Sequence, residues 1–130
     1  MINNEIVNLP IEEMDKECIE LCKKLNTLDG VKTWESCCGH LKERYMIFFF
    51  CNNFITLAKL ARSVSRNYSD GRWEITVDDS DHYPSYLFWL RSIKPFNTYK
   101  TMEKSIKHLI DNIDWWNQEK FNEYFETKPF

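Results

Sequence analysis

Apolar positions along the chain follow two rhythms, one of three to four residues and one of two. Met14, Cys18, Leu21, Cys22 and Leu25 recur at helical spacing behind Leu9-Pro10, which predicts a first helix opened by Pro10 near its first turn. Glu12, Glu13 and Asp15 lie early in it and Lys23 and Lys24 late, as the helix dipole favours. Asp29-Gly30 ends it, and Val31 to about Cys37 reads as a strand. Cys38-Gly39-His40 and Lys42-Glu43 form a polar connection to Tyr45–Phe50, a strand apolar on both faces and therefore central in a sheet.

Asn52 and Asn53 suit a helix cap, followed by a stripe of Phe54, Leu57, Ala58, Leu60, Ala61 and Val64. Tyr68 to Gly71 makes a turn. Trp73–Val77 alternates strictly, as a half-buried strand does. Asp78 to Pro84 is a polar loop, and a fourth strand runs from Tyr86 to Leu90 and on to Ile93, stopped by Pro95. Thr98 or Thr101 caps a third helix bearing Met102, Ile106, Leu109, Ile110 and Ile113, and 115–130 reads as an amphipathic helical tail. The order α-ββα-ββα predicts a single α+β domain over 1–130, with an antiparallel four-stranded sheet and helices on one face. Tyr45–Phe50 and Tyr86–Arg91 begin 41 residues apart, which suggests a pseudo-repeat. A sheet covered on one side should be polar on the other. Glu74 and Thr76 obey that rule; Trp34, Trp89 and one row of the Phe48–Phe50 run do not, and need a cover from the tail, another subunit or a ligand.

Composition narrows the function classes. The chain has 130 residues and is 43% hydrophobic, with nine Phe, six Tyr and five Trp, so it can build a core and still offer rings for stacking. Its formal charge of −3 and the lack of a long basic run disfavour a large nucleic-acid footprint, while a small anionic ligand needs only a few placed cations. The start lacks a basic stretch followed by an apolar one, and the run Tyr45–Cys51 is too short to span a bilayer, so a cytoplasmic chain with no membrane partner is expected. Five cysteines then read as reduced thiols.

The stretch Thr33-Trp34-Glu35-Ser36-Cys37-Cys38-Gly39-His40 concentrates the candidate chemistry. A structural zinc wants four ligands, usually in paired knuckles, and Cys37, Cys38 and His40 are too closely spaced for three tetrahedral corners, so no metal or other cofactor is expected. A Cys38–His40 thiolate pair would suit a nucleophile, but no third, orienting residue is identifiable. A ligand loop would use Gly39 for close backbone approach, Ser36 and His40 as donors, and Glu35 as acceptor for a base edge or sugar hydroxyl. A plain glycine turn between strands remains the fourth reading. Trp34 or Trp73 offers a stacking ring. Lys32, Lys42, Arg44, Arg72 and Arg91 flank strand ends, and Arg44 and Arg91 join the candidate ligand set. Asp78 to His82 lacks the glycine and the final glutamate of a calcium loop.

Thr33-x-Glu35-Ser36-Cys37-x-Gly39-His40, followed by the apolar strand Ile47–Phe50 and a helix with Leu57, resembles small uncharacterised phage and Firmicute proteins that carry a T-x-E-S-C-x-G-H motif after an N-terminal helix. The likeness covers roughly Leu9 to Ile110. It extends faintly to the wybutosine-synthesis tRNA methyltransferase family, which has an arginine where His40 stands here. The resemblance implies a non-enzymatic homo-oligomer that sequesters a small nucleotide-like signalling molecule, as phage anti-defence proteins do, in the host cytoplasm. Two alternatives stand beside it: a nucleotide- or RNA-modifying enzyme, and an inhibitor that binds a protein through exposed aromatics.

Overall fold

The structure is a computed structural model that describes residues 14–78 and 87–122. Its elements are helix α1 (Lys16–Asn26), strands β1 (Val31–Cys37) and β2 (Met46–Cys51), helix α2 (Phe54–Val64), strands β3 (Trp73–Val77) and β4 (Leu87–Ser92), and helix α3 (Tyr99–Trp116). The four strands form one antiparallel sheet in the order β1-β2-β4-β3. This is the α+β architecture that the alternating rhythms predict. No helix among the described residues is long and apolar enough to cross a membrane.

The hairpins β1-β2 and β3-β4 meet through their second strands, with the first strand of each at a sheet edge. Phe48 pairs with Trp89, the residue 41 positions later, so the centre of the β2-β4 ladder joins equivalent positions of the two halves. Strand order and pairing are those of two ββα units related by a twofold normal to the sheet.

All three helices lie on one face of the sheet. Cys18, Leu21, Cys22 and Leu25 of α1 and Met102, Ile106, Leu109, Ile110 and Ile113 of α3 close over Val31, Ile47, Phe49, Cys51, Trp73, Phe88 and Leu90. Tyr45, just before β2, is fully buried, donates its hydroxyl to the Glu17 carbonyl at 2.9 Å and meets the Trp73 ring edge-on. Trp73 Nε1 donates to Ser105 Oγ at 2.9 Å, and that hydroxyl donates to Asp70 at 2.7 Å, which satisfies the polar atoms that burial would otherwise strand.

Several boundaries differ from expectation. The first helix begins at Lys16, with Asp15 in the cap position and Met14 ahead of it; Leu9-Pro10 lies outside the described residues. On α2 the buried face is Thr56, Lys59, Leu60 and Ser63, while Phe54 is 78% exposed. The helix is rotated so that Leu57 and Val64 only flank the core, and Lys59 donates to Asn122. Trp115 and Trp116 belong to α3, and a single 3-10 turn, Glu119–Phe121, follows; the rest of the predicted tail, the loop beyond Asp78 and Tyr86 lie outside the described residues. Asn53 caps α2 by accepting from Thr56 N, and Thr98 caps α3 by accepting from Thr101 N.

Candidate functional site

At the end of β1 the chain turns through three successive left-handed residues, Gly39 (φ 80°), His40 (φ 53°) and Leu41 (φ 65°). Only the first is a glycine, so His40 and Leu41 hold a conformation that costs L-residues energy. Gly39 is buried, and a Cβ there would lie 2.9 Å from the Arg44 carbonyl oxygen. Its glycine is therefore required by the chain's own packing. Lys42 N and Glu43 N both donate to the Gly39 carbonyl and fix the turn.

Asp15 reaches this corner from the start of α1. Its side chain makes no capping bond; Oδ2 instead accepts from Cys38 N at 2.9 Å and lies 3.5 Å from His40 Nε2. The other ring nitrogen, His40 Nδ1, is 3.6 Å from Cys38 Sγ. Cys38, His40 and Asp15 thus stand in the order nucleophile, base, orienting acid. The thiol is only 1% exposed, and burial, reinforced by the Asp15 charge, pushes it up to about 11. It is protonated at neutral pH and poorly reachable, which disarms it as a nucleophile. Cys37 behaves differently. It is half-buried, and its Sγ accepts from Gly39 N at 3.4 Å. The donor atoms of Asp15, Cys37 and His40 all lie within 4.8 Å of one another.

The motif residues divide between the two faces of the sheet. Thr33 is buried and bonded twice to Asn26, its amide donating to Oδ1 and its hydroxyl accepting from Nδ2. Ser36 hydrogen-bonds the Cys18 and Cys22 thiols under α1. Trp73 lies in the core with its indole N–H satisfied, so stacking on a ligand is closed to it as folded. Thr33, Ser36, Cys38, Gly39 and Trp73 therefore serve the fold. Trp34, Glu35, Arg44 and Arg91 serve the opposite, helix-free side, and His40 stands exposed at the turn.

A bulge at Trp34 sets that second face. Thr33 pairs with Phe49 and Glu35 with Phe48, leaving Trp34 as the extra residue, its ring stacked on Phe48 at 5.4 Å. Phe48 stacks in turn on Trp89 at 4.3 Å. Glu35, Phe48, Trp89 and Thr76 thus form one cross-strand row with an aromatic centre. The neighbouring row is Cys37, Met46, Arg91 and Glu74. Strand spacing puts its first and third members about 10 Å apart. Arg44 donates to Glu74 through Nη2 and to the Ser92 carbonyl through Nε at 2.7 Å. Arg91 donates to Thr76 Oγ1 at 3.0 Å and lies 3.7 Å from the same Glu74 carboxylate. Two cations share one anion, and the buried Arg91 Nε–H meets no acceptor among the described residues. The guanidinium also lies 6.0 Å from the Trp89 ring centre.

Compared with protein-family models, curated proteins and solved structures, the chain matches none.

Three participants escape a reading of the motif. Asp15 reads as an acidic residue placed early in the first helix for its dipole, and nothing in its local sequence points to a turn 23 residues later. Trp89 and Glu74 join the site through strand pairing across β2 and β4, which sequence spacing does not encode. For Trp89 one signal existed: an indole on a strand face that should be polar.

Proposed function

We propose that this chain binds a small anionic, nucleotide-like molecule on the helix-free face of its sheet and holds it without transforming it. The observation that carries the reading is the Arg91 guanidinium, whose Nε–H meets no acceptor among the described residues, beside the half-buried ring of Trp89. A guanidinium binds phosphate oxygens through a planar fork, and an indole stacks on a base. Arg44 adds a second cation, and Glu35, exposed one row away, supplies an acceptor for a sugar or base donor. Trp34, stacked on Phe48, extends the same aromatic row. The non-enzymatic form of the proposal draws support from Cys38, whose thiol is buried and protonated. Sequestration of a signalling nucleotide, in the manner of phage anti-defence proteins, is the biological role that the motif resemblance favours.

Both outer strands of the four-stranded sheet are edges, and Val77 on β3 is 64% exposed, which supports a homo-oligomer as the acting form. The test is native mass spectrometry of the purified protein incubated with mono-, di- and cyclic nucleotides, followed by heating and identification of what is released. An unaltered nucleotide is expected, and Arg91→Ala and Glu35→Ala should each weaken its binding at least about tenfold, as loss of a charged, desolvated hydrogen bond does. Release of a chemically altered nucleotide would support the modifying-enzyme alternative. Failure of every nucleotide to bind, with capture of a protein partner instead, would support the inhibitor alternative.

A further inference from the structure

We infer that Asp15, Cys37 and His40 form a binding site for a zinc-class divalent ion at the corner where β1 ends and α1 begins. The three donors come from two segments, and all their ligand atoms lie within 4.8 Å of one another. Tetrahedral zinc with ordinary bond lengths sets its ligand atoms about 3.3–3.7 Å apart. The 3.5 Å between His40 Nε2 and Asp15 Oδ2 already falls there. The objection that Cys37, Cys38 and His40 crowd one another does not apply to this set. Asp15 replaces Cys38, and its carboxylate arrives from a different element.

The surroundings hold each donor in place. Asp15 is oriented by Cys38 N–H, leaving lone pairs for an ion. Gly39 N–H donates to the Cys37 sulfur at 3.4 Å and fixes its position. With Nε2 as the ligand, His40 carries its proton on Nδ1, whose neighbour is Cys38 Sγ at 3.6 Å. Binding through Nε2 therefore requires the neutral imidazole with its proton on Nδ1, and it releases the Cys37 thiol proton to solvent. The His40 side chain is 60% exposed and can rotate to close the remaining distance.

One thiolate, one imidazole and one carboxylate select zinc or cobalt over calcium and magnesium, which prefer an all-oxygen shell. Three protein ligands at a surface leave a fourth position for water or an anionic group of a ligand.

The experiment uses the full chain, stripped with a chelator and titrated with cobalt(II), then with zinc(II) in competition with a chromophoric chelator. One equivalent of cobalt per chain should give a thiolate charge-transfer band in the near ultraviolet, and zinc should remove it. Loss of an outer contact typically lowers metal affinity 10–100-fold, so Cys37→Ser should lower it more than about 100-fold and abolish the band. His40→Ala and Asp15→Asn should each lower it at least about tenfold; asparagine retains an acceptor for Cys38 N–H, and circular dichroism checks that each variant is folded. Cys51→Ser, at the far end of β2, should bind as the parent does. A parent chain that gives no thiolate band, or a folded Cys37→Ser that keeps the band and the affinity, overturns the assignment.

Discussion

Replacing Gly39 with alanine separates the two roles open to a glycine in this turn: shelter for a ligand, or fit to the chain's own backbone. At φ 80° an L-residue pays a left-handed penalty of about 1–2 kcal/mol. The new Cβ would lie 2.9 Å from the Arg44 oxygen and 3.0 Å from its carbonyl carbon. That backbone cannot easily retreat. Arg44 Nε is bonded to the Ser92 carbonyl, Tyr45 N to Ser92 Oγ, and Ser92 N to the Tyr45 carbonyl. Forcing an extra carbon into such a site costs roughly 1–3 kcal/mol more. A stiffer unfolded chain offsets about 0.4–1 kcal/mol. The net loss is roughly 2–4 kcal/mol. With a urea slope of about 1–3 kcal/mol/M, the unfolding midpoint should fall by about 1–2 M with the slope unchanged. Gly71→Ala is the internal control, because φ is 74° there but nothing lies within 4 Å of the added carbon. Its loss should be only the backbone penalty, about 1 kcal/mol. A Gly39→Ala midpoint no lower than that of Gly71→Ala would refute the packing argument. Full stability with lost nucleotide binding would return Gly39 to the ligand.

Ser105→Ala strands the Trp73 indole N–H and one Asp70 oxygen, so it should cost about 1–3 kcal/mol in denaturant unfolding while leaving nucleotide affinity intact; an unchanged midpoint would contradict the geometry. Glu74→Gln removes the carboxylate shared by Arg44 and Arg91, so anion binding should tighten severalfold while stability falls by less than about 1 kcal/mol, the pairs being a third exposed; weaker anion binding would place the ligand elsewhere. Burial pushes the Cys18 thiol from an ordinary 9.0 up to about 12, so the folded state holds this proton more tightly than the unfolded one. Its stabilisation is complete below pH 9.0 and is lost as pH rises toward 12, and the alkaline fall in unfolding midpoint should be shallower in Cys18→Ala than in the parent; identical profiles would refute the linkage. Light scattering at micromolar concentration should report a dimer or larger, and a monomer would remove the oligomer from the proposed function.

Element type and order were written in the sequence because periodicity is local. The helical stripe of Met102 to Ile113 needs only one face buried, and the structure places it so; in the alternating strand Trp73 is buried and Ile75 packs against the core, while Val77 at the end of β3 stays exposed. The unusual rings were legible too: Trp34 and Trp89 mark a helix-free face that ordinary polarity cannot explain. Strand order was not legible, and it decides the candidate site. Arg91, Glu74 and Cys37 share a row only because β2 pairs with both β1 and β4. Within the motif, residue type was ambiguous between chemistry and packing. Thr33, Ser36 and Trp73 carry polar atoms that a ligand could use, yet each satisfies them inside the fold. Asp15 shows the reverse, since a helix-cap position hides a carboxylate that turns away from its own helix. Side-chain polarity follows from sequence alone; its partner depends on which segments burial brings together, and that is settled only when the long-range contacts form.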